Sequence, residues 1–89
     1  MDFHNTLLRY RAIHVRFYGP TNTKGVRIRI KDMRRGDTVW LPYNHEIGDI
    51  VNQAGDYLHT QGIGLSAVVL HDTQDGYTLA TPDFATPIK

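Results

Sequence analysis

The consecutive segments "RAIHVRFY" (residues 11–18), "GPTNTKG" (19–25) and "VRIRIKDM" (26–33) decide the fold. In the first, Ile13, Val15 and Phe17 alternate with Ala12, His14, Arg16 and Tyr18; in the third, Val26, Ile28 and Ile30 alternate with Arg27, Arg29 and Lys31. Successive side chains of a strand point to opposite faces, so this period of two describes strands with one buried and one wet face. Gly19-Pro20 ends the first run, because proline cannot donate to a ladder. The reading is an antiparallel pair joined through residues 19–25, with His14, Arg16 and Tyr18 sharing a surface with Arg27, Arg29 and Lys31.

Downstream, Arg34-Arg35-Gly36-Asp37 turns the chain and Thr38–Leu41 continues as a short strand. The period then changes. Ile47, Ile50, Val51, Ala54, Tyr57 and Leu58 recur at helical spacing, with Asn44 as the expected N-cap, Glu46 at the positive end of the helix and Gly62 at C′. Leu65–Leu70 and Tyr77–Thr81 read as two further strands across the turn His71–Gly76. The order β-β-β-α-β-β predicts a small α+β domain spanning residues 1–89, a mainly antiparallel sheet with one helix packed on one face. Residues 1–8 and 82–89 are expected to be loosely ordered. The expected core joins the helix stripe to Ile13, Val15, Phe17, Val26, Ile28, Ile30, Val39 and Leu41.

A chain of 89 residues fits one domain with a thin core. It contains no cysteine, which excludes disulfides and thiolate metal sites. With no apolar run near the roughly 18 residues of a membrane span and no basic-then-apolar start, the expected location is cytoplasmic, away from any membrane. The net charge of +1 hides an asymmetry: residues 1–40 carry nine Lys/Arg against three acids, whereas residues 41–89 carry Lys89 against six acids. Such a split points to a polyanionic partner, or to two halves that neutralise each other.

Several chemistries are excluded in turn. A phosphate loop needs Gly-Lys-Ser/Thr opening a helix, whereas Lys24 precedes Gly25 and a strand follows. Gly62-Ile63-Gly64 follows a helix and is a cap. His45 and Asp49 have a spacing compatible with zinc but lack a third ligand nearby. Asp72–Gly76 lacks the alternating carboxylates of a calcium loop. Ser66, the only serine, sits in a predicted strand without an activating neighbour. The expectation is a protein that is not an enzyme and takes no cofactor.

What remains is the basic strand face. Trp40 and Thr38 extend it if Val39 and Leu41 point inward. Cations that follow phosphates beside rings that stack on bases form the combination used by single-strand binders. A wet antiparallel face with arginine stems lying over apolar surface needs no partner at all, and an acidic protein surface fits the same cations. The candidate binding residues are His14, Arg16, Tyr18, Lys24, Arg27, Arg29, Lys31, Arg34, Arg35 and Trp40. The loop at 19–25 is expected to be held by side-chain-to-backbone bonds from Asn22 or its neighbours, with Lys24 exposed at the rim.

The run Tyr18-Gly19-Pro20-Thr21-Asn22-Thr23-Lys24-Gly25, followed by Arg27 and Ile28, and Pro42-Tyr43 before the helix, resembles a small family of orphan proteins from bacteriophages, plasmids and integrative elements. The resemblance covers residues 10–70 and implies a mobile-element origin; no activity is assigned to that family. Small proteins of such elements are often nucleic-acid-binding accessories or inhibitors of host defence nucleases, including anti-CRISPR proteins. Two functions follow as expectations. One is a binding module whose basic face engages a polyanion, foremost nucleic acid. The other is a protein–protein inhibitor of a defence nuclease, using the same face or an acidic surface around Asp49, Asp56, Asp72 and Asp75.

Overall fold

The computed structural model describes residues 2–71 and 76–89. The elements are α1 (Phe3–Thr6), β1 (Arg11–Tyr18), β2 (Arg27–Asp32), β3 (Thr38–Pro42), α2 (Ile50–Thr60), β4 (Ala67–Leu70) and β5 (Tyr77–Thr81). This is the expected α+β architecture, with the single turn of α1 added before it. The strands form one antiparallel sheet in the order β3-β2-β1-β5-β4. The turn expected at 72–75 lies outside the described residues.

Ile13 and Val15 of β1 and Ile28 and Ile30 of β2 pack on Ala54 and Leu58 of α2. Val39, Leu41, Ile50, Val51 and Tyr57 rim this core, while Ile63, Leu79 and Ile88, absent from the expected set, complete it. Two of the strand residues expected in the core differ. Phe17 stays 46% exposed, edge-on to Tyr43 at 5.4 Å, and Val26 is only half-buried. Phe17 is the penultimate residue of β1, and Val26 immediately precedes β2.

The helix starts later than its stripe suggests. Asp49 is the N-cap, accepting from the backbone N–H groups of Val51 and Asn52. Asn44 caps a separate turn instead, accepting from the Glu46 N–H, while buried Gln53 bonds both its N–H and its carbonyl. Gly48, at φ 77°, then breaks the path between turn and helix. His45 and Asp49 therefore do not share a helical turn, and Ile47 leaves the stripe, 44% exposed. At the other end Gly62 follows the C-cap at φ 87°, where glycine escapes the Cβ penalty of the left-handed region.

The C-terminal segment is pinned rather than loose. Ile88 is buried, and the Tyr57 hydroxyl donates to its carbonyl at 2.5 Å. Arg11 Nη1 donates to the carbonyls of Thr86 (2.6 Å) and Asp83 (3.2 Å), while its Nη2 meets Asp32 Oδ2 at 2.6 Å in a fully buried ion pair. Asp32 also accepts from the N–H groups of Arg34 and Arg35. Burial alone would raise its carboxyl's pKa, but the bonds from Arg11, Arg35 and Arg34 and the Arg11 charge outweigh that and hold it below 3.8. Pro82 and Pro87 bracket a compact turn: Asp83 accepts from the N–H groups of Ala85 and Thr86, and bonds from Thr86 and Ala85 lower its pKa to about 2.

Candidate polyanion-binding face

With α2 packed across β1 and β2, no helix of the described residues packs on the opposite face of the sheet. Strand alternation sends the cations there. In register, Tyr18 lies opposite Arg27, Arg16 opposite Arg29 and His14 opposite Lys31; on the far side of β2, Arg29 meets Trp40 and Lys31 meets Thr38. Opposed Cβ atoms in such pairs stand about 4.5–5.5 Å apart. Toward β5 and β4 the same face turns neutral, through Ala12, Ala80, Thr78, Ala67 and the exposed Val69. The cations therefore sit on β1 and β2, and β3 adds Thr38 and Trp40 beside them.

Within it, the Tyr18 and Trp40 rings meet across β2, 5.0 Å apart and inclined by 64°. The guanidinium carbons of Arg16, Arg29 and Arg27 lie 5.0, 5.4 and 5.6 Å from the Tyr18 ring centre, and Arg27 is 4.8 Å from that of Trp40. Three like charges thus surround one ring. Arg27 Nη1 and Arg29 Nε are buried atoms without a hydrogen-bond acceptor, which fits donors directed toward π faces and not toward carboxylates. Tyr18 is a pedestal for guanidinium groups more than a platform for a base, whereas Trp40 remains 47% exposed.

Beside this cluster, a depression of about 380 Å³ is lined by His14, Arg16, Arg29, Lys31, Met33, His71 and Thr78. Arg29 Nη2 lies 3.4 Å from His14 Nδ1, the His14 and His71 rings stack at 5.3 Å, and His71 Nε2 is 2.6 Å from the Thr78 hydroxyl. His71 is a member of this depression that strand periodicity did not single out. It follows β4, and β5 brings it over the face.

Among the described residues, Arg11–Asp32 is the only ion pair. Asp2 caps α1, Asp49 caps α2 and Asp83 folds the C-terminal segment. Apart from Arg11, the cations of β1 and β2 thus have no ion-pair partner among the described acids.

Three candidate residues stand apart from the cluster. Arg34 lies over the Phe84 ring at 5.2 Å, and Arg35 donates to the carbonyls of Phe84 and Ala85 at 3.1 and 3.0 Å. The β2–β3 turn, tied down by Asp32, directs both toward the C-terminal segment. Lys24 is exposed in the β1–β2 loop, as expected. There Thr21 is the organiser: its hydroxyl accepts from the Lys24 N–H at 3.0 Å, and its own N–H donates to the Lys24 carbonyl at 2.7 Å.

A larger groove on the helix side, lined by Phe17, Tyr43, Ile47 and Ile50 among others, has no described Lys or Arg in its wall, and its Asp49 is engaged in capping. No group of three or more metal-ligating residues occurs among the described residues, and no helix there is long and apolar enough to cross a membrane. No family model, curated protein or solved structure matches the chain.

Proposed function

We propose that the protein is a non-enzymatic binding module whose helix-free sheet face engages a polyanion, with nucleic acid the favoured class. One observation carries the reading: Arg16, Arg27 and Arg29 crowd one aromatic ring beside Lys31, with no carboxylate paired to them among the described residues. Like charges at directly opposed strand positions destabilise a sheet, and Arg16 faces Arg29. An arrangement that costs stability in the free protein becomes favourable when phosphates supply the missing anions. The resemblance to mobile-element proteins is compatible with such a role.

Fluorescence anisotropy with short DNA and RNA oligonucleotides at two salt concentrations tests this. The reading expects tight binding at low salt that weakens steeply as salt rises, because each neutralised phosphate releases counterions. Arg16→Thr should weaken binding while leaving the melting temperature unchanged or higher, since it removes a like-charge pair. Arg34→Gln, on a residue that faces the C-terminal segment, should bind as the parent does. No binding to any oligonucleotide at low salt rejects the proposal.

The inhibitor reading has an acidic variant and a basic one. The acidic variant is the weaker, because Asp49 is spent on a helix cap. In the basic variant an acidic protein takes the place of nucleic acid on the same face. A partner captured by Arg16 and Arg29 after nuclease treatment would favour it.

A further inference from the structure

We infer that the ligand of this face is a single strand of nucleic acid, with one base stacked on Trp40. The inference rests on the polyanion reading and adds the strandedness of the ligand and the site of its base. Arg27, Arg29 and Lys31 form a straight file along β2, about 6.6–6.8 Å apart. A phosphodiester backbone laid along that file neutralises them in succession. Trp40 stands beside the file on β3, the strand at the margin of the sheet.

An indole so placed cannot serve a duplex. Base faces in a duplex are covered by their neighbours, whereas an unpaired base swings out of the backbone path and offers its π face. Trp40 is suited to receive it: Tyr18 braces its edge, Arg27 lies against its ring, and nearly half of the residue (47%) remains exposed within an otherwise charged surface. Packing does not call for a large exposed aromatic here, since the inward positions of β3 are filled by Val39 and Leu41. Tyr18, ringed by guanidiniums, is closed to a second base and instead holds the cations in place.

Trp40 is the only tryptophan in the chain, so its emission reports the contact directly. The intact protein is titrated at low salt with three probes of equal length: a single-stranded oligonucleotide, an abasic strand with the same phosphates, and a duplex, each as DNA and as RNA. Emission and anisotropy are read together. The single strand should quench Trp40 and bind about 5- to 150-fold tighter than the abasic strand, the usual worth of one stacked base. Duplex and abasic strand should bind through phosphates alone and leave the emission nearly unchanged. Trp40→Ala should abolish the preference for the single strand, and Trp40→Phe should restore part of it, which separates a stacking role from a folding defect. Equal affinity for single and abasic strands, or an emission unchanged at saturation, overturns the inference and leaves the polyanion reading standing. Failure of every probe to bind overturns both.

Discussion

Replacing Arg11 by methionine keeps most of the side chain's apolar length and removes its charge. It strands the Asp32 carboxylate in a buried site where only the backbone N–H groups of Arg34 and Arg35 still donate to it. Breaking one side of a buried ion pair costs about 3–5 kcal/mol. The lost bonds to the carbonyls of Thr86 and Asp83 add roughly 0.5–1.5 kcal/mol each. A chain of 89 residues has a total stability of roughly 4–13 kcal/mol, so the variant should sit near its folding threshold.

The pH dependence identifies the cause. In the parent, the Asp32 pKa is depressed below 3.8, so its contribution is present above that value and is lost as pH falls through the folded-state pKa. Without Arg11, burial acts with less opposition and the carboxyl's folded-state pKa moves up. The variant therefore regains protons earlier on acidification, and the stability gap to the parent narrows from neutral pH to about pH 3. Urea denaturation followed by circular dichroism at several pH values measures that gap. A gap below about 1.5 kcal/mol at neutral pH, or one that stays constant on acidification, would refute the buried ion pair as the latch of the C-terminal segment.

Leu58→Ala should cost about 2–5 kcal/mol, and Ile50→Ala less, because Leu58 is fully buried while Ile50 only rims the core; thermal melting ranks them. Gly76→Ala should lower the melting temperature sharply, since Gly76 holds φ 109° and an added Cβ would fall on the Val15 carbonyl. In the β1–β2 loop, Thr21→Ala should cost about 0.5–1.5 kcal/mol while Asn22→Ala is nearly neutral, as chemical denaturation will distinguish.

The strand faces were legible because a period of two leaves little freedom: once Ile28 and Ile30 go inward, Arg27, Arg29 and Lys31 must go outward. Sequence reasoning erred where a polar residue does something non-local. Asn44 looked like a helix cap, but contacts with Gln53 commit it to a separate turn, and Asp49 takes the role. Arg11 and Asp32 stand at the ends of alternating runs, and nothing local indicates that they pair across strands inside the core. The C-terminal segment has the prolines of a loose tail, yet Ile88 and the carbonyls that meet Arg11 and Arg35 fasten it. Those same carbonyls remove Arg35 from the candidate face, as Phe84 does Arg34. His71 joined the depression only through the β4–β5 pairing, which brings it beside Thr78.

The central claim, that the helix-free face neutralises phosphates, is tested most directly by the slope of log binding constant against log salt for a single-stranded oligonucleotide. Four engaged cations, Arg16, Arg27, Arg29 and Lys31, predict a slope of about −3, and Arg29→Gln should make it shallower by about 0.7. A slope near zero would contradict the account. So would a slope unchanged by Arg29→Gln but reduced by Arg34→Gln or Arg35→Gln, because the phosphates would then lie against the C-terminal segment and not on the sheet.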